Sequence, residues 1–162
     1  MTDRQTPASE TRIIMDSLRR IVQALRKASA DPSAAPSLTA AQIFLLRTLE
    51  AHPGASVNDL AALTHTHQSS VSEVLSRLEA KGLIDRRPAA NDRRRVVLRL
   101  SDAGEAIVGQ QGRTPQEDML QAIEMLSPQI RAALAEGLNA LAAAAAPGSA
   151  TPPLFFEEKD TQ

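Results

Sequence analysis

Residues 68–82 read Gln68-Ser-Ser-Val-Ser-Glu-Val-Leu-Ser-Arg-Leu-Glu-Ala-Lys-Gly82, and they carry the strongest helical pattern of the chain. Their apolar side chains recur at the i, i+3, i+4 and i+7 spacing of one buried helix face. Gly82 stands where a glycine in the left-handed conformation commonly ends a helix. The pattern predicts an amphipathic helix from Gln68 to Lys81 with the following inner face: Val71, Val74, Leu75 and Leu78.

The segments around this helix predict a winged helix-turn-helix lobe over residues 38–101. A short helix over Val57–Thr64 precedes the turn His65-Thr-His67. After the longer helix, two extended runs separated by a turn at Pro88–Asp92 predict a β-hairpin, the wing, with its tip at Asn91–Arg95. Short helix, turn, longer helix and basic hairpin follow one another in the winged helix-turn-helix order.

Helical patterns also flank the lobe, over residues 10–30 and 102–146, with interruptions at Gly109, Gly112 and Pro115. Both regions carry apolar stripes that the lobe does not need for its own core, so we expect them to dimerise across a two-fold axis. The predicted fold is mainly α with a small β-hairpin wing, N- and C-terminal dimerisation helices, and flexible or docking tails at 1–9 and 147–162. The expected dimerisation residues are Leu18, Ile21, Leu134, Leu138 and Leu141.

Composition narrows the classes of function. The chain has no cysteine, which excludes disulfides and thiolate metal sites within it. It has no long apolar run and a polar N-terminus, so we expect a cytoplasmic protein. It contains no glycine-rich phosphate loop, G-x-S-x-G or H-E-x-x-H motif, so we expect no enzyme. His52, His65 and His67 either join carboxylates around zinc or, as we favour, contact phosphate or solvent; we expect no metal and no cofactor.

The net charge of −1 conceals a strongly basic segment. Residues 77–99 contain eight basic and three acidic side chains, so this segment carries +5 and the remainder −6. Such a segment is either a solvated face or a localised anion-binding surface. Double-stranded DNA is the anion we expect, because a helix fits the major groove and a thin basic loop fits a narrow minor groove.

The expected DNA contacts comprise the polar face of the longer helix and the tip of the wing. Asp92 is expected to orient one wing arginine through a carboxylate pair. Glu73 has two interpretations: it accepts a hydrogen bond from a cytosine amino group, or it repels phosphate and lowers affinity. The expected contact residues are Gln68, Ser69, Ser70, Ser72, Glu73, Ser76, Arg77, Arg93, Arg94 and Arg95.

Two stretches resemble the MarR family of bacterial regulators. Ser69–Ile84 is similar to the recognition helix of that family, and Asp92-Arg-Arg94 followed by Leu98-Arg-Leu100-Ser101 is similar to its wing pattern D-x-R-x-x-x-L-x-L-[TS]. The resemblance covers residues 10–146. It implies a transcription regulator, expected to be a repressor, that binds a pseudo-palindromic operator as a homodimer and responds to a small-molecule ligand. It also implies that Arg94 is the minor-groove arginine and Asp92 its supporting partner.

Three features leave alternatives open. The turn reads Thr64-His-Thr-His67 where many members of the family have a glycine, an apolar residue and an aspartate, so His67 is expected to be a poorer helix cap. A winged helix lobe can also serve protein–protein assembly, a use that needs no basic wing. The cluster Leu154-Phe155-Phe156 is expected to dock on the protein's own dimer, with a disordered tail or a partner-binding strip as the other possibilities.

Overall fold

The computed structural model describes residues 7–29, 38–89, 92–147 and 154; within these ranges the side chains of residues 7, 27–29, 89 and 92–95 are not described. Seven helices and one two-stranded antiparallel sheet lie in these ranges, which confirms the predicted class. In chain order they are α1 (Pro7–Ser29), α2 (Ala40–Ala51), α3 (Val57–Leu63), α4 (Gln68–Ala80), β1 (Ile84–Ala89), β2 (Asp92–Leu100), α5 (Asp102–Val108), α6 (Pro115–Glu124) and α7 (Pro128–Ala145).

Short polar side chains fix where most of the helices begin. Thr39, Ser56 and Thr114 each form a capping box, in which the hydroxyl accepts from the third backbone N–H and the third side chain accepts from the cap N–H. Ser101 and Ser127 accept from the starts of α5 and α7 in the same way. Because these caps satisfy N–H groups that have no partner inside a helix, they define the helix starts locally.

The core of the winged lobe lies between α2, α3, α4 and the wing. The predicted inner face of α4 is fully buried, with Val71, Val74, Leu75 and Leu78 all at 0% exposure. Residues from every neighbouring element complete the same apolar cluster, among them Leu45, Leu46, Leu60 and Leu98. Gly82 has φ +69°, as expected of a glycine that ends a helix.

The wing differs from the predicted hairpin in its extent. The strands pair from Ile84 opposite Leu100 to Pro88 opposite Val96, and the next pair joins Ala89 to Asp92. The predicted turn at Pro88–Asp92 was therefore too long, and Arg93, Arg94 and Arg95 belong to β2, although they lie outside the regular pairing. Proline is compatible with this position because every strand of a two-stranded sheet is an edge strand and need not donate at each residue.

An ion pair between α2 and α6 joins α6 to the winged lobe. The guanidinium of Arg47 on α2 donates from Nε to both carboxylate oxygens of Glu117, at 2.9 and 3.1 Å, and from NH1 to the carbonyl oxygen of Gln111 at 3.3 Å. Glu117 Oε2 also accepts from the backbone N–H of Thr114 at 2.6 Å. Arg47 therefore holds both the start of α6 and the irregular segment before it.

The terminal helices keep large apolar side chains exposed. α1 packs against α6 and buries Leu25, yet its Ile21 is 42% exposed and Leu18 is half-buried. α7 buries no residue at all, and Leu134, Leu138 and Leu141 are 41 to 47% exposed. A single copy of the chain thus leaves the predicted dimerisation stripes uncovered.

The tail returns to the core of its own chain at one residue. Leu154 is 3% exposed and belongs to the apolar cluster of the winged lobe. Its neighbours Phe155 and Phe156 lie outside the described residues, as do the terminal tail residues 1–6. None of the helices in the described ranges is long and apolar enough to span a membrane.

We predict that Gly104→Ala destabilises the winged lobe. Gly104 lies in α5, and a Cβ atom there would overlap the backbone carbonyl oxygen of Leu83. That backbone cannot move aside without disturbing Ser101, whose N–H donates to the same oxygen at 3.1 Å. We expect a loss of about 1–3 kcal/mol in the free energy of unfolding, the usual cost of overpacking, measured by urea denaturation.

Gly112→Ala is the matched control. A Cβ atom at Gly112 would meet nothing within 4 Å, and the residue lies outside any helix or strand. Its free energy of unfolding should stay within about 0.5 kcal/mol of the wild type, as for most surface changes. Equal effects of the two substitutions would contradict the packing of α5 against the start of the wing.

Candidate nucleic-acid interface

The turn between α3 and α4 sets the direction of the longer helix. Thr64 is buried, and its hydroxyl donates to the carbonyl of Leu60 at 2.7 Å. His65 has φ +51°, a left-handed conformation that glycine adopts more readily. The backbone N–H of Thr66 donates to Ala61 at 3.0 Å, which closes the turn. The chain therefore reverses in three residues and starts α4 at Gln68.

His67 stands at the N-cap of α4 but makes no side-chain capping bond. The expectation of a poorer cap is confirmed, because the first N–H groups of α4 lack the acceptor that aspartate would supply. Both His65 and His67 are exposed. In the part of the chain that the structure describes, no group of three or more His, Asp or Glu side chains is arranged to hold a metal ion.

Most of the predicted contact residues of α4 share its outer face. Gln68, Ser69, Glu73 and Ser76 are exposed, and Ser72 and Arg77 are half-buried. The hydroxyl of Ser76 turns back to the carbonyl of Ser72 at 2.9 Å, so it is committed to its own helix. The polar side chains open to a ligand therefore lie toward the first two turns of α4.

Ser70 corrects the predicted set. It is only 7% exposed, because it lies four residues before Val74 and one before Val71, and shares the inner face with them. Its side chain cannot reach a surface ligand from this position. The predicted contact at Ser70 was wrong. The sequence shows a short polar residue there, but it does not show whether that residue belongs to the buried or the exposed face of the helix.

Glu73 and Arg77 form an ion pair along the outer face of α4. NH2 of Arg77 donates to Oε1 of Glu73 at 2.8 Å, one helical turn apart. The Arg77 side chain is 24% exposed and the Glu73 side chain 55% exposed. The arginine thus lies against the protein while the carboxylate faces outward.

A second ion pair fixes the wing relative to α4. Nε of Arg86 on β1 donates to Oε2 of Glu79 on α4 at 2.7 Å. Arg87 pairs with Asp85 on the same strand at 2.9 Å. Sequence reasoning missed these partners, because a separation of seven residues across a helix end predicts no contact. Two of the three acidic residues of the segment, Glu79 and Asp85, are therefore paired with arginines of β1.

The side chains of Asp92, Arg93, Arg94 and Arg95 lie outside the described part of the structure. Their backbone belongs to β2. Pro88 on β1 pairs with Val96, and the next residue of β1, Ala89, pairs with Asp92, so β2 advances by four residues where β1 advances by one. The three arginines are thus the residues without a regular partner on the opposite strand. Their roles in DNA binding stay predictions.

An open cleft of about 490 Å³ lies where α6 meets α2. Its floor contains the Arg47–Glu117 pair, and its rim includes Arg113, whose Nε donates to Asp118 at 2.8 Å. Basic and acidic groups balance along its lining, which consists of Arg47, Arg113, Glu117, Leu120, Gln121 and Glu124.

Comparisons with known proteins agree with this geometry. The model of the MarR family matches residues 38–96, from the start of α2 into β2. The HTH-type transcriptional repressor NicR of Pseudomonas putida is 28% identical over 103 residues, which cover 64% of this chain and 65% of NicR. The HTH-type transcriptional repressor MdtR of Bacillus subtilis is 32% identical over 89 residues, which cover 55% of this chain and 57% of MdtR. The chain therefore spans less than two thirds of the length of either relative.

A solved structure extends the similarity beyond the lobe. Bordetella bronchiseptica BpsR, whose DNA binding is regulated by 6-hydroxynicotinic acid, is 25% identical with a TM-score of 0.52. The superposition covers 82% of this chain and 91% of BpsR. The match to the MarR family model therefore falls on the helix-turn-helix and wing described above, over residues 38–96.

Proposed function

We propose that the chain is a sequence-specific DNA-binding transcription regulator, a repressor, rather than an enzyme. The observation that carries the proposal is the complete burial of the inner face of α4, which leaves its polar face exposed beside a basic wing. The relatives NicR and MdtR are both transcriptional repressors, which supports repression rather than activation. A protein acting on bacterial DNA works in the cytoplasm.

In this proposal α4 enters the major groove through its first turns. Gln68, Ser69 and Ser72 have short or flexible polar side chains, so the helix backbone can approach base edges closely. The wing and α4 share the apolar core and are also joined by the pair Glu79–Arg86, so helix and wing meet the duplex as one body. The wing then brings Arg93, Arg94 and Arg95 to the adjacent minor groove, with Asp92 orienting Arg94.

We also propose that the protein acts as a homodimer. The exposed large apolar residues of α7 recur on one side of the helix from Ile130 to Leu141, about 17 Å at 1.5 Å per residue. A stripe of this length is uncommon on the surface of a monomer and marks an interface. Pairing two copies about a two-fold axis presents two winged lobes, which requires a pseudo-palindromic operator.

Arg94→Ala should weaken binding to the preferred operator by about 1–3 kcal/mol, the scale of one good specific contact. The operator is first selected from random duplexes with purified protein, and affinity is then measured at fixed salt. Arg131→Ala is the control, because it removes the same charge from exposed α7, away from the lobe. Equal affinities of wild type and Arg94→Ala would remove Arg94 from the interface.

The salt dependence of the same titrations tests the proposal as a whole. If each lobe neutralises about three to five phosphates, the logarithm of affinity falls against the logarithm of salt with a slope of roughly −5 to −9. A slope near zero would mean that the basic segment does not contact phosphate, and a winged lobe for protein assembly would then be the better account.

The joint substitution of Leu134 and Leu138 by Asp should separate the dimer. Each change places a charge on the exposed stripe of α7, where pairing would otherwise bury an apolar side chain. Sedimentation at micromolar concentration should give a dimer for the wild type and a monomer for the variant. Asn139→Asp adds a charge next to the stripe and should remain dimeric. A monomeric wild type would contradict the proposal.

We further propose that a small-molecule effector binds in the cleft between α2 and α6. An occupant there would contact Arg47 and Glu117, which join α6 to the winged lobe, and so would shift the lobe relative to the dimerisation helices. BpsR responds to 6-hydroxynicotinic acid, which suggests small aromatic acids as probes.

A thermal-shift screen of such acids should yield at least one that raises the melting temperature and releases operator DNA. Gln121→Trp, which fills the cleft from its rim, should abolish both effects without weakening DNA binding in the absence of the acid. A shift that persists in Gln121→Trp would place the effector elsewhere, and a screen without any response would leave the effector proposal unsupported.

A further inference from the structure

Glu73 is an acidic residue in the first two turns of α4, on the exposed side proposed above to face DNA. Its carboxylate projects outward, with 55% of the side chain exposed. Oε1 accepts the hydrogen bond from Arg77, and Oε2 makes no hydrogen bond within the part of the chain that the structure describes. One oxygen is thus held in place while the other is open to a donor from outside the protein.

The ion pair between Glu73 and Arg77 contributes little to the stability of the fold. An exposed ion pair one turn apart on a helix contributes little to folding, because water screens both charges. A bare carboxylate on this face would also repel DNA phosphates. The guanidinium of Arg77 offsets that charge and holds Oε1, so the carboxylate presents Oε2 as a strong acceptor with less repulsion of phosphate.

The donors that such an acceptor can meet in the major groove are limited. Guanine and thymine offer only acceptors there, apart from the thymine methyl group. Adenine offers its N6 amino group beside the acceptor N7, which would repel a carboxylate. Cytosine offers its N4 amino group without an adjacent acceptor. A fixed carboxylate therefore favours cytosine.

We propose that Glu73 reads a cytosine in each half-site and that Arg77 is a positioning residue that orients and neutralises it. This inference rests on the proposed DNA-binding function and names a base that the function alone does not specify. The alternative is that Glu73 only repels phosphate, and the test below distinguishes the two.

The test compares base preferences of the wild type, Glu73→Gln and Glu136→Gln in selection from random duplexes. Wild type should enrich cytosine at one position of each half-site by about tenfold to a hundredfold, the discrimination of one good base contact. Glu73→Gln should lose that preference and favour adenine, because an amide can accept from N6 and donate to N7. Other positions of the operator should keep their preferences.

Glu136→Gln is the matched control. It makes the same chemical change at an exposed glutamate of α7, away from the helix and wing that are proposed to contact DNA. It should leave the preference at the cytosine position unchanged. The thermal unfolding of all variants is measured, so that a folding defect is recognised.

Two further measurements address the atoms involved. Replacing the selected cytosine by 2-pyrimidinone, which lacks the N4 amino group, should weaken wild-type binding by about tenfold or more and leave Glu73→Gln nearly unaffected. Arg77→Ala should flatten the preference at this position, and Arg77→Lys should restore part of it, because lysine keeps the charge.

The outcomes separate this inference from the proposed function. If the wild type selects an operator and Glu73→Gln selects the same base at every position with uniformly higher affinity, Glu73 only repels phosphate and the inference is wrong. If the wild type selects no sequence at all, the proposed function fails and the inference fails with it.

Discussion

The burial of the inner face of α4 is the constraint on which the rest of the structure depends. Each of its fully buried apolar side chains contributes about 1.5–3 kcal/mol relative to exposure. An exposed ion pair contributes about 0.2–1 kcal/mol. Rotation of α4 by a single residue position would expose part of this face, so packing and not surface charge determines which side chains face outward. The outer positions of Gln68, Ser69 and Glu73 follow from that orientation.

Ion pairs then connect the elements that packing has placed. Glu79–Arg86 links α4 to the wing, and Arg47–Glu117 links α2 to the start of α6. The first adds a charged contact between the helix and the hairpin, which already share the apolar core. The second lies at the junction with the helices whose apolar faces remain uncovered. In the proposed dimer, a change at that junction would alter the position of one winged lobe relative to the other and so the spacing of the two DNA contacts.

The periodic features of the chain were predictable from its sequence, and the boundaries were not. The spacing of Val71 to Leu78 identified the buried face of α4, and Gly82 its end, because both depend on local chemistry. Ser70 was misplaced because it lies at the edge of that face. The wing turn was predicted too long because Pro88 appeared to end a strand, whereas an edge strand accepts it.

Contacts between distant residues left no signal in the sequence. Arg47 and Glu117 are separated by 70 residues, and no pattern connects them. Glu73 and Arg77 have the spacing of a helical ion pair, but that spacing does not reveal which partner is buried. The outward-facing carboxylate became evident only from the exposure of the two side chains.

The central claim is that the outer face of α4 contacts DNA, and the absence of cysteine from the chain allows a direct measurement. Ser69→Cys and Asn139→Cys each introduce a single exposed thiol, on α4 and on α7 respectively. The rate of maleimide modification is measured for each, with and without the selected operator duplex. The account predicts that DNA protects the thiol at position 69 and leaves the one at position 139 reactive. Unchanged modification at position 69 in the bound complex would contradict it.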